Sequence, residues 1–401
     1  MIKTPKGLRL HIGVFGRRNV GKSSVLNTLV KQQVSIVSEV AGTTTDVVEK
    51  VMEFKPIGPV VFIDTAGFDD IGALGEMRIA QSRKAIDRTE VALLVTDDWQ
   101  DYEQKLLEEF KSRNIPAVVV CNKSDIRENS TLEKDADRAG AKLVASVSAT
   151  SHIGIENLRK AIIDAAPAEF LSPQTILGDI VRPGELVVLV TPIDLEAPKG
   201  RLILPQVQTL RDILDHHAYA IVVTEEHLES ALRRLKEPPA LVVTDSQAFE
   251  AVSSVTPADV PLTGFSILFA RFKGNLDELV KGAYAIDTLQ PDNKVLIAEA
   301  CTHHPVDGDI GREKIPKWLQ EKTGSLDINI VAGRDFPDDI ARYKLIIHCG
   351  SCMLNRKELL SRIEKARVAD VPITNYGVAI AHLHGILDRA MEPFRINGQL
   401  S

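Results

Sequence analysis

Two groups of residues have the types and spacing that binding chemistry requires. The first begins at Gly16, where residues 16–24 read GRRNVGKSS and match G-x-x-x-x-G-K-[ST] directly after an apolar run. Glycines in such a loop let backbone N–H groups curl around phosphates, and the helix that follows points its positive end at them. We therefore predict a nucleotide site in which Lys22 bridges the β- and γ-phosphates and Ser23 binds Mg²⁺.

The phosphate loop alone does not distinguish ATP from GTP. Three further segments, each after another predicted strand, indicate which nucleotide binds. Residues 64–67 read DTAG, so that Asp64 can hold Mg²⁺ through water and the Gly67 N–H can meet the γ-phosphate. Residues 122–125 read NKSD, and the Asp125 carboxylate can accept two hydrogen bonds from guanine that adenine cannot donate. Residues 146–149 read SVSA, where a guanine O6 could meet a backbone N–H. The predicted GTP-binding residues are Gly16, Asn19, Val20, Gly21, Lys22, Ser23, Ser24, Asp64, Gly67, Asn122, Lys123, Asp125, Ser148 and Ala149.

The second group is rich in cysteine and histidine and lies in the last third of the chain. Residues 301–304 read CTHH and residues 348–352 read HCGSC, and each segment directly follows a predicted strand. Because adjacent parallel strands end at one edge of a sheet, we expect Cys301, Cys349 and Cys352 to come together. Thiolates favour Zn²⁺, Cu(I) or an iron–sulfur centre. Spacing alone favours zinc, since His303 or His348 would complete a closed Cys₃His site.

The histidines and the remaining cysteine also have simpler interpretations. Histidine is common near strand ends, so His303, His304 and His348 could be loop residues that only donate a hydrogen bond near a ligand. Cys121 lies alone in an apolar run, and we interpret it as a buried, inert thiol.

The residues of both groups are positioned by short β-rich runs that alternate with amphipathic stretches, as in sheets with crossover helices. Strands are predicted in residues 1–168 at 8–15, 47–54, 60–64, 91–95, 117–121 and 142–146. The second and third of these are joined by a very short turn, which predicts an antiparallel hairpin on an otherwise parallel sheet.

Two smaller alternating units follow, in residues 169–262 and 263–401. The predicted strands are 186–190, 220–223, 241–244, 295–300, 328–331 and 345–347, with a helical segment at 265–289 and a helix at 356–368. No internal sequence repeat is evident. The predicted fold class is α/β, a P-loop GTPase domain followed by two smaller α/β domains, of which the last contains the cysteine and histidine segments.

Composition excludes several classes of protein. The 401 residues are 44% hydrophobic and 26% charged, which is typical of a folded, water-soluble chain. The formal net charge of -7 and 5% aromatic residues argue against bulk nucleic-acid binding. No apolar run approaches the roughly 18 residues that span a bilayer, and the first residues lack a signal-peptide core. We therefore expect a cytoplasmic protein that binds no membrane and no nucleic acid.

The four nucleotide motifs resemble those of GTPases of the Era and MnmE type. The resemblance implies that residues 42–46, GTTTD, are a switch segment in which Thr44 binds Mg²⁺. It implies catalytic roles for Lys22, for Thr44 and for Asp70, which would orient the attacking water, although Asp70 could equally be a solvated loop acid. Asn19 stands where potassium-activated members coordinate K⁺, although asparagine is also a common turn residue.

Over its whole length the chain resembles the GTPases of FeFe-hydrogenase maturation, the scaffold and carrier maturases. This resemblance implies that Cys301, Cys349 and Cys352 hold a 4Fe-4S cluster, with His303 and His348 as ligands or as neighbours of ligands. The identity of the fourth ligand is not implied: His303, His348 and an acid such as Asp194 or Asp307 are all admissible. The resemblance also implies that the middle domain, residues 169–262, forms a homodimer. It further implies that the protein accepts a two-iron precursor from two radical-SAM maturases and delivers it to apo-hydrogenase.

Two other functions are compatible with the same motifs. One is an RNA-modification or ribosome-assembly GTPase with a structural zinc site, which the acidic charge disfavours. The other is an electron carrier with an attached regulatory GTPase, which would show a reversible redox couple without partners.

Overall fold

The computed structural model describes residues 5–31, 38–40, 48–65, 83–171, 175–193, 202–300, 309–333, 336–351 and 354–396. By its internal contacts the chain forms two compact units, Met1–Gln174 with Asn355–Glu358, and Thr175–Leu354 with Leu359–Ser401. Among the described helices, none is both long enough and apolar enough to cross a membrane.

The first unit is built on a mixed sheet. Its strands are β1 (Leu10–Phe15), β2 (Ser38–Val40), β3 (Val48–Phe54), β4 (Gly58–Asp64), β5 (Val91–Thr96), β6 (Ala117–Cys121) and β7 (Leu143–Ser146). Within the described residues they form seven strands in the order β2-β3-β4-β1-β5-β6-β7. The predicted hairpin is present as the antiparallel pair β3 and β4. The central strands β1 and β5 are buried along their whole length, as parallel strands covered on both faces are.

The longer helices of this unit are amphipathic, and their apolar faces are buried. The described helices of this unit are α1 (Lys22–Lys31), α2 (Asp101–Ser112), α3 (Ser130–Arg138), α4 (Ile155–Ala165) and α5 (Ala168–Leu171). In α4 the buried positions recur every three or four residues and so share one face. They are Ile155, Leu158, Ala161, Ile162 and Ala165.

The second unit contains two parallel sheets. The strands of the middle sheet are β8 (Leu186–Val190), β9 (Tyr219–Val223), β10 (Leu241–Thr244) and β11 (Leu262–Gly264), and those of the carboxyl-terminal sheet are β12 (Lys294–Ala298), β13 (Asp327–Val331), β14 (Leu345–His348) and β15 (Ile373–Asn375). The spatial orders are β11-β10-β8-β9 and β13-β12-β14-β15. The expected division at residue 262 falls on the first residue of β11, which pairs with β10 in the middle sheet.

The two sheets of the second unit share one topology. In each, the first strand lies between the second and the third, and the fourth strand pairs with the third. The expectation of no internal repeat is therefore wrong at the level of the fold, although little of the repeat survives in the sequence. Residues 263–277 and 374–388 nevertheless align without a gap, and five pairs are identical: Thr263 with Thr374, Ala270 with Ala381, Gly274 with Gly385, Leu276 with Leu387, and Asp277 with Asp388.

Helices cover both sheets of the second unit. They are α6 (Leu204–Asp215), α7 (Leu228–Arg234), α8 (Phe249–Val255), α9 (Phe265–Lys273), α10 (Leu276–Tyr284), α11 (Ile315–Thr323), α12 (Arg356–Val368), α13 (Tyr376–Leu383) and α14 (Leu387–Ile396). One hydrophobic core joins the two sheets and contains residues of both, among them Leu189, Phe265 and Ile346. The helical segment predicted at 265–289 is two helices, because α9 ends at Gly274 and Asn275 caps α10 by accepting from Glu278 N–H.

Candidate nucleotide and metal-cluster sites

The loop between β1 and α1 has the curled backbone that phosphate binding requires. Gly16 and Gly21 have φ angles of +146° and +96°, which L side chains rarely adopt. A Cβ atom at Gly16 would lie 2.2 Å from the carbonyl oxygen of Val95, and one at Gly21 would lie 2.3 Å from Nδ2 of Asn122. Glycine is therefore required at both positions for steric reasons as well as conformational ones.

The side chain of Lys22 folds back over this loop. Its Nζ donates to the carbonyl oxygen of Gly16 at 2.9 Å and to that of Arg17 at 2.8 Å. Lys22 is 8% exposed, so its charge acts with little screening by water. An ammonium group held by carbonyls at the mouth of such a loop can exchange them for phosphate oxygens, which are stronger acceptors.

Ser23 and Asp64 lie together, as the predicted Mg²⁺ site requires. Ser23 Oγ donates to Asp64 Oδ2 at 2.8 Å. Burial raises the pKa of Asp64, and the hydrogen bond from Ser23 and the charges of Lys22 and Lys50 oppose that rise. Within the described residues, the other oxygen, Oδ1, is buried and has no hydrogen-bond partner. A buried carboxylate oxygen without a donor fits a hard cation such as Mg²⁺.

The loops after β6 and β7 are tied to the phosphate loop by Asn122. Its Nδ2 donates to the Val20 carbonyl at 2.9 Å, and its Oδ1 accepts from the Ala149 N–H at 3.2 Å. Asn122 is therefore a brace between three predicted nucleotide-binding segments. Asp125 is exposed, so its carboxylate is accessible to a base, whereas Ser148 is fully buried and its Oγ accepts from the backbone of residue 151.

Two charged residues that the sequence analysis did not single out also hold the phosphate loop. Arg17 Nε donates to Glu103 Oε1 at 2.8 Å, and Arg17 also donates to the Asp98 carbonyl at 2.7 Å. Glu103 is fully buried on α2. Arg17 and Glu103 are 86 residues apart in the sequence, so no local motif predicts this ion pair. Asn19, the predicted K⁺ ligand, is exposed on the same loop in a left-handed conformation with a φ of +62°.

Several predicted site residues lie outside the described residues. They are Thr44, Gly67, Asp70, Cys301, His303 and Cys352, together with His304, Asp194 and Asp307. Their assignments stay predictions.

Cys349 lies at the carboxyl edge of the carboxyl-terminal sheet. Its backbone N–H donates to the Ala298 carbonyl at 2.9 Å, and its Sγ accepts from the Ala300 N–H at 3.0 Å. Strands β12 and β14 are adjacent and parallel, with Ala298 opposite His348. The chain after β12 therefore passes the Cys349 sulfur one residue before Cys301. A backbone N–H donated to sulfur stabilises a thiolate, and such bonds also tune sulfur-bound clusters.

His348 is fully buried, and both of its ring nitrogens are engaged by the protein. Its Nε2 lies 2.8 Å from a guanidinium nitrogen of Arg362, and because arginine is only a donor, Nε2 must accept. The proton is thereby assigned to Nδ1, which lies 2.9 Å from the Cys349 carbonyl and 3.0 Å from Ser351 Oγ. Burial and the Arg362 charge lower the pKa of His348 to about 3, so the imidazole is neutral.

A metal centre cannot be completed from the described residues alone. Among them, no group of three or more His, Cys, Asp or Glu side chains could hold a metal ion. The described part of the cysteine site nevertheless fits a thiolate-bound group, because Cys349 is half-buried at a strand end and its sulfur accepts a backbone N–H. Gly350, the residue between this thiol and Ser351, has nothing within 4 Å of where a Cβ would be, so the turn has room on that side.

The phosphate loop, the Ser23–Asp64 pair and the seven-stranded sheet define a P-loop GTPase domain, followed here by two further parallel sheets. Residues 11–123 match the model of the 50S ribosome-binding GTPases. Residues 176–274 match the hydrogen maturase F dimerization domain, and residues 277–393 match the hydrogen maturase F tetramerization domain. The last two matches cover more than half of the chain, and the chain belongs to the hydrogen maturase F family.

The tRNA modification GTPases MnmE are similar to the GTPase part of the chain. The tRNA modification GTPase MnmE of Exiguobacterium sibiricum is 34% identical over 157 residues, which are 38% of this chain and 34% of that protein. The MnmE of Aquifex aeolicus is 35% identical over 167 residues, which are 40% of this chain and 36% of that protein. The chain thus spans about a third of the length of these relatives.

Solved structures are similar to part of the chain. Era from Aquifex aeolicus, bound to GDP and aluminium fluoride, is 20% identical and covers 61% of this chain and 97% of its own, with a TM-score of 0.34. The G domain of the T. maritima FeoB iron transporter is 21% identical and covers 40% of this chain, with a TM-score of 0.31. At such scores the assignment of the fold depends on the strand order and the family models.

Proposed function

We propose that this protein is a GTP-hydrolysing scaffold that binds a 4Fe-4S cluster and carries the two-iron precursor of the FeFe-hydrogenase active site to apo-hydrogenase. Membership of the hydrogen maturase F family supports the biological role. The observation that carries the chemistry is the place of Cys349, with its sulfur 3.0 Å from the Ala300 N–H and so one residue from Cys301.

In the GTPase domain each residue has one task. Lys22 binds the β- and γ-phosphates, and its ammonium neutralises charge that develops on the transferred phosphoryl group. Ser23 and Asp64 hold Mg²⁺, directly and through water, while Thr44 and Asp70 complete the metal and water positions. Asp125 selects guanine, since only guanine offers two donors to one carboxylate.

Potassium activation is part of this proposal and rests on Asn19. A K⁺ ion held by Asn19 would place positive charge beside the transferring phosphoryl group, as an arginine finger does. We expect hydrolysis to slow several-fold when Na⁺ replaces K⁺ in the assay. Equal rates in the two salts would leave Asn19 with a conformational role in the loop.

In the carboxyl-terminal domain, Cys301, Cys349 and Cys352 would hold the cluster through their thiolates. When bound, a 4Fe-4S cluster with a weakly held fourth ligand supplies a position at which a second metal fragment can dock. The hydrogen bonds of His348 to Arg362 and to the Cys349 carbonyl favour a role for His348 in positioning the loop. His303 is then the better candidate of the two histidines for the fourth ligand.

The partners follow from the same family role. They are two radical-SAM maturases, which would load the precursor, and the apo-hydrogenase, which would receive it in the cytoplasm. The matched dimerization and tetramerization domains support self-association, and we propose a homodimer through the middle domain.

Serine substitutions of the three cysteines test the cluster site. After anaerobic reconstitution with iron and sulfide, we expect about four irons per wild-type chain and a reduced-cluster signal in electron paramagnetic resonance. Cys301→Ser, Cys349→Ser and Cys352→Ser should each lose that signal, while Cys121→Ser, a matched control in the GTPase domain, should keep it. One tightly bound zinc and no iron in the wild-type chain would instead support a structural zinc site in an RNA-assembly GTPase.

A further inference from the structure

A buried lysine next to the middle sheet contacts the cysteine loop, which we define as residues 348–354. Lys273 is the last residue of α9, the helix that directly follows the middle sheet. Its Nζ donates to the carbonyl oxygens of Ser351 at 3.1 Å and of Leu354 at 3.3 Å. Lys273 is only 3% exposed. The lysine therefore contacts the loop on both sides of positions 352 and 353, which lie outside the described residues.

These two carbonyls close the turn that Cys349 begins. Ser351 has a φ of +55°, in the left-handed region that non-glycine residues seldom occupy. Its carbonyl also accepts from the Leu354 N–H at 3.2 Å. The Lys273 ammonium is thus a second donor to the Ser351 carbonyl, and it stabilises a residue with a strained backbone that lies between Cys349 and Cys352 in the sequence.

A buried lysine is unusual, because an ammonium group that is removed from water loses its hydration. Lysines near helix ends usually keep the ammonium in water, as Lys281 on α10 does with a side chain that is 72% exposed. The equivalent of Lys273 in the second copy of the repeat is His384, which is exposed and stacks edge-on against Trp318 with ring centroids 4.8 Å apart.

We propose that Lys273 is a positioning residue of the cluster site, whose ammonium fixes the carbonyls of Ser351 and Leu354 and favours negative charge on the sulfur ligands. The proposal rests on the proposed function, because the negative charge is that of thiolates and of a bound cluster. A cluster gains one negative charge on reduction, and a buried positive charge nearby favours that reduced form. Lys273 thereby makes the loop contributed by one sheet dependent on a helix of the other.

The test separates the hydrogen bonds of Lys273 from its charge. Lys273→Gln keeps an N–H donor and removes the charge, Lys273→Arg keeps the charge, and Lys281→Gln is the control at an exposed lysine. The first readout uses each chain without metal, as hydrogen–deuterium exchange of backbone amides in residues 349–355. The second uses the reconstituted chain, as the midpoint potential of the cluster in a titration followed by electron paramagnetic resonance.

We expect Lys273→Gln to lower the midpoint potential, while Lys273→Arg and Lys281→Gln stay close to wild type. At a fixed potential the ratio of reduced to oxidised cluster should fall about tenfold, which corresponds to about 59 mV for a one-electron couple. Amide exchange in the loop should be faster in Lys273→Gln than in the control, because a neutral amide donates weaker hydrogen bonds to carbonyls than an ammonium does. If Lys273→Gln does not fold, Lys273→Met is the second uncharged variant and carries the same expectation.

Three results would overturn the proposal. An uncharged variant with the wild-type potential and wild-type exchange would show that the lysine does neither task. Equal loss of the cluster in the uncharged variants and in Lys273→Arg, with unchanged melting temperatures, would show that only side-chain shape matters. A wild-type chain that takes up no iron would remove the proposed function itself and the electrostatic role with it, and this result is recognisable before any variant is made.

Discussion

The middle sheet and the carboxyl-terminal sheet have one topology but present different side chains at the same strand end. Asp245 directly follows β10 and Cys349 directly follows β14, the third strand of each sheet. The carboxylate of Asp245 accepts from Gln206 Nε2 on α6 at 2.6 Å. The Cys349 sulfur instead accepts a backbone N–H of Ala300. The same edge thus carries a carboxylate bound by a helix side chain in one sheet and a sulfur bound by a backbone N–H in the other. The residues at the strand ends therefore determine the chemistry.

The two copies also meet at equivalent positions. Ser266 on α9 and Gly377 on α13 correspond in the alignment of the repeat, and a Cβ at Gly377 would lie 2.0 Å from Ser266 Oγ. Contact between a residue and its own equivalent is typical of two copies related by an approximate twofold axis. The core of the second unit therefore resembles an interface between two subunits that are joined in one chain.

Exchange of the two strand-end residues is expected to have the largest effect. Cys349→Asp puts the middle-sheet residue into the carboxyl-terminal sheet, and because carboxylates bind iron–sulfur clusters far less well than thiolates, iron retention should fall to near zero. Asp245→Cys, the reverse exchange, should gain no additional iron, since residues 191–200, which follow β8, contain no cysteine. Iron and sulfide analysis after anaerobic reconstitution measures both. Iron bound by Asp245→Cys at a second site would break the comparison.

A P-loop substitution tests whether the two sites are separate. Lys22→Ala removes the ammonium at the phosphates and should lower GTP hydrolysis by about a hundredfold or more, as loss of a group that stabilises transition-state charge does. Its iron content should equal that of wild type, because Lys22 and Cys349 belong to different units. Phosphate release and iron analysis on one preparation give both values. Loss of iron together with hydrolysis would contradict the separation.

The contact between the two copies predicts a smaller effect on stability. Gly377→Ala inserts a methyl group against Ser266, and overpacking of this kind costs about 1–3 kcal/mol. We expect a melting temperature several degrees lower. Gly350→Ala is the control, because an added Cβ there meets nothing within 4 Å. Equal melting temperatures for the two variants would argue against a tight contact between the copies.

The two described cysteines should differ in reactivity toward iodoacetamide, and almost no alkylation is expected at Cys121. Burial raises the pKa of Cys121 to about 12, so its thiolate fraction rises only as the pH approaches 12. In the folded chain without metal, iodoacetamide at pH 8 should label Cys349 and leave Cys121 unlabelled, as peptide mass spectrometry can show. Rapid labelling of Cys121 at pH 8 would mean that β6 opens in solution.

The sequence predicts the parts of both sites that depend on local chain geometry. The glycines of the phosphate loop, Asp64 at the end of β4 and Cys349 after β14 all follow strands, and a strand end can be recognised from neighbouring residues. The α/β class and the β3–β4 hairpin were predicted for the same reason, since each depends on periodicity and a short turn.

The remaining features come from packing between distant segments, which no local pattern reports. Arg17 meets Glu103, and Lys273 meets Ser351, only because the intervening elements fold against one another. Neither a buried lysine nor a buried glutamate is distinguishable in a sequence from an exposed one. The repeat escaped detection because its two sheets share strand order while few of their side chains coincide.

Transfer of the two-iron unit is the most direct test of the proposed role. The chain would be loaded by the two radical-SAM maturases, separated from them, and mixed with apo FeFe-hydrogenase, and hydrogen evolution would be measured. We predict that wild-type chain activates the hydrogenase and that Cys349→Ser, loaded in the same way, does not. Equal activation by the two chains, or none by the wild type, would contradict the account.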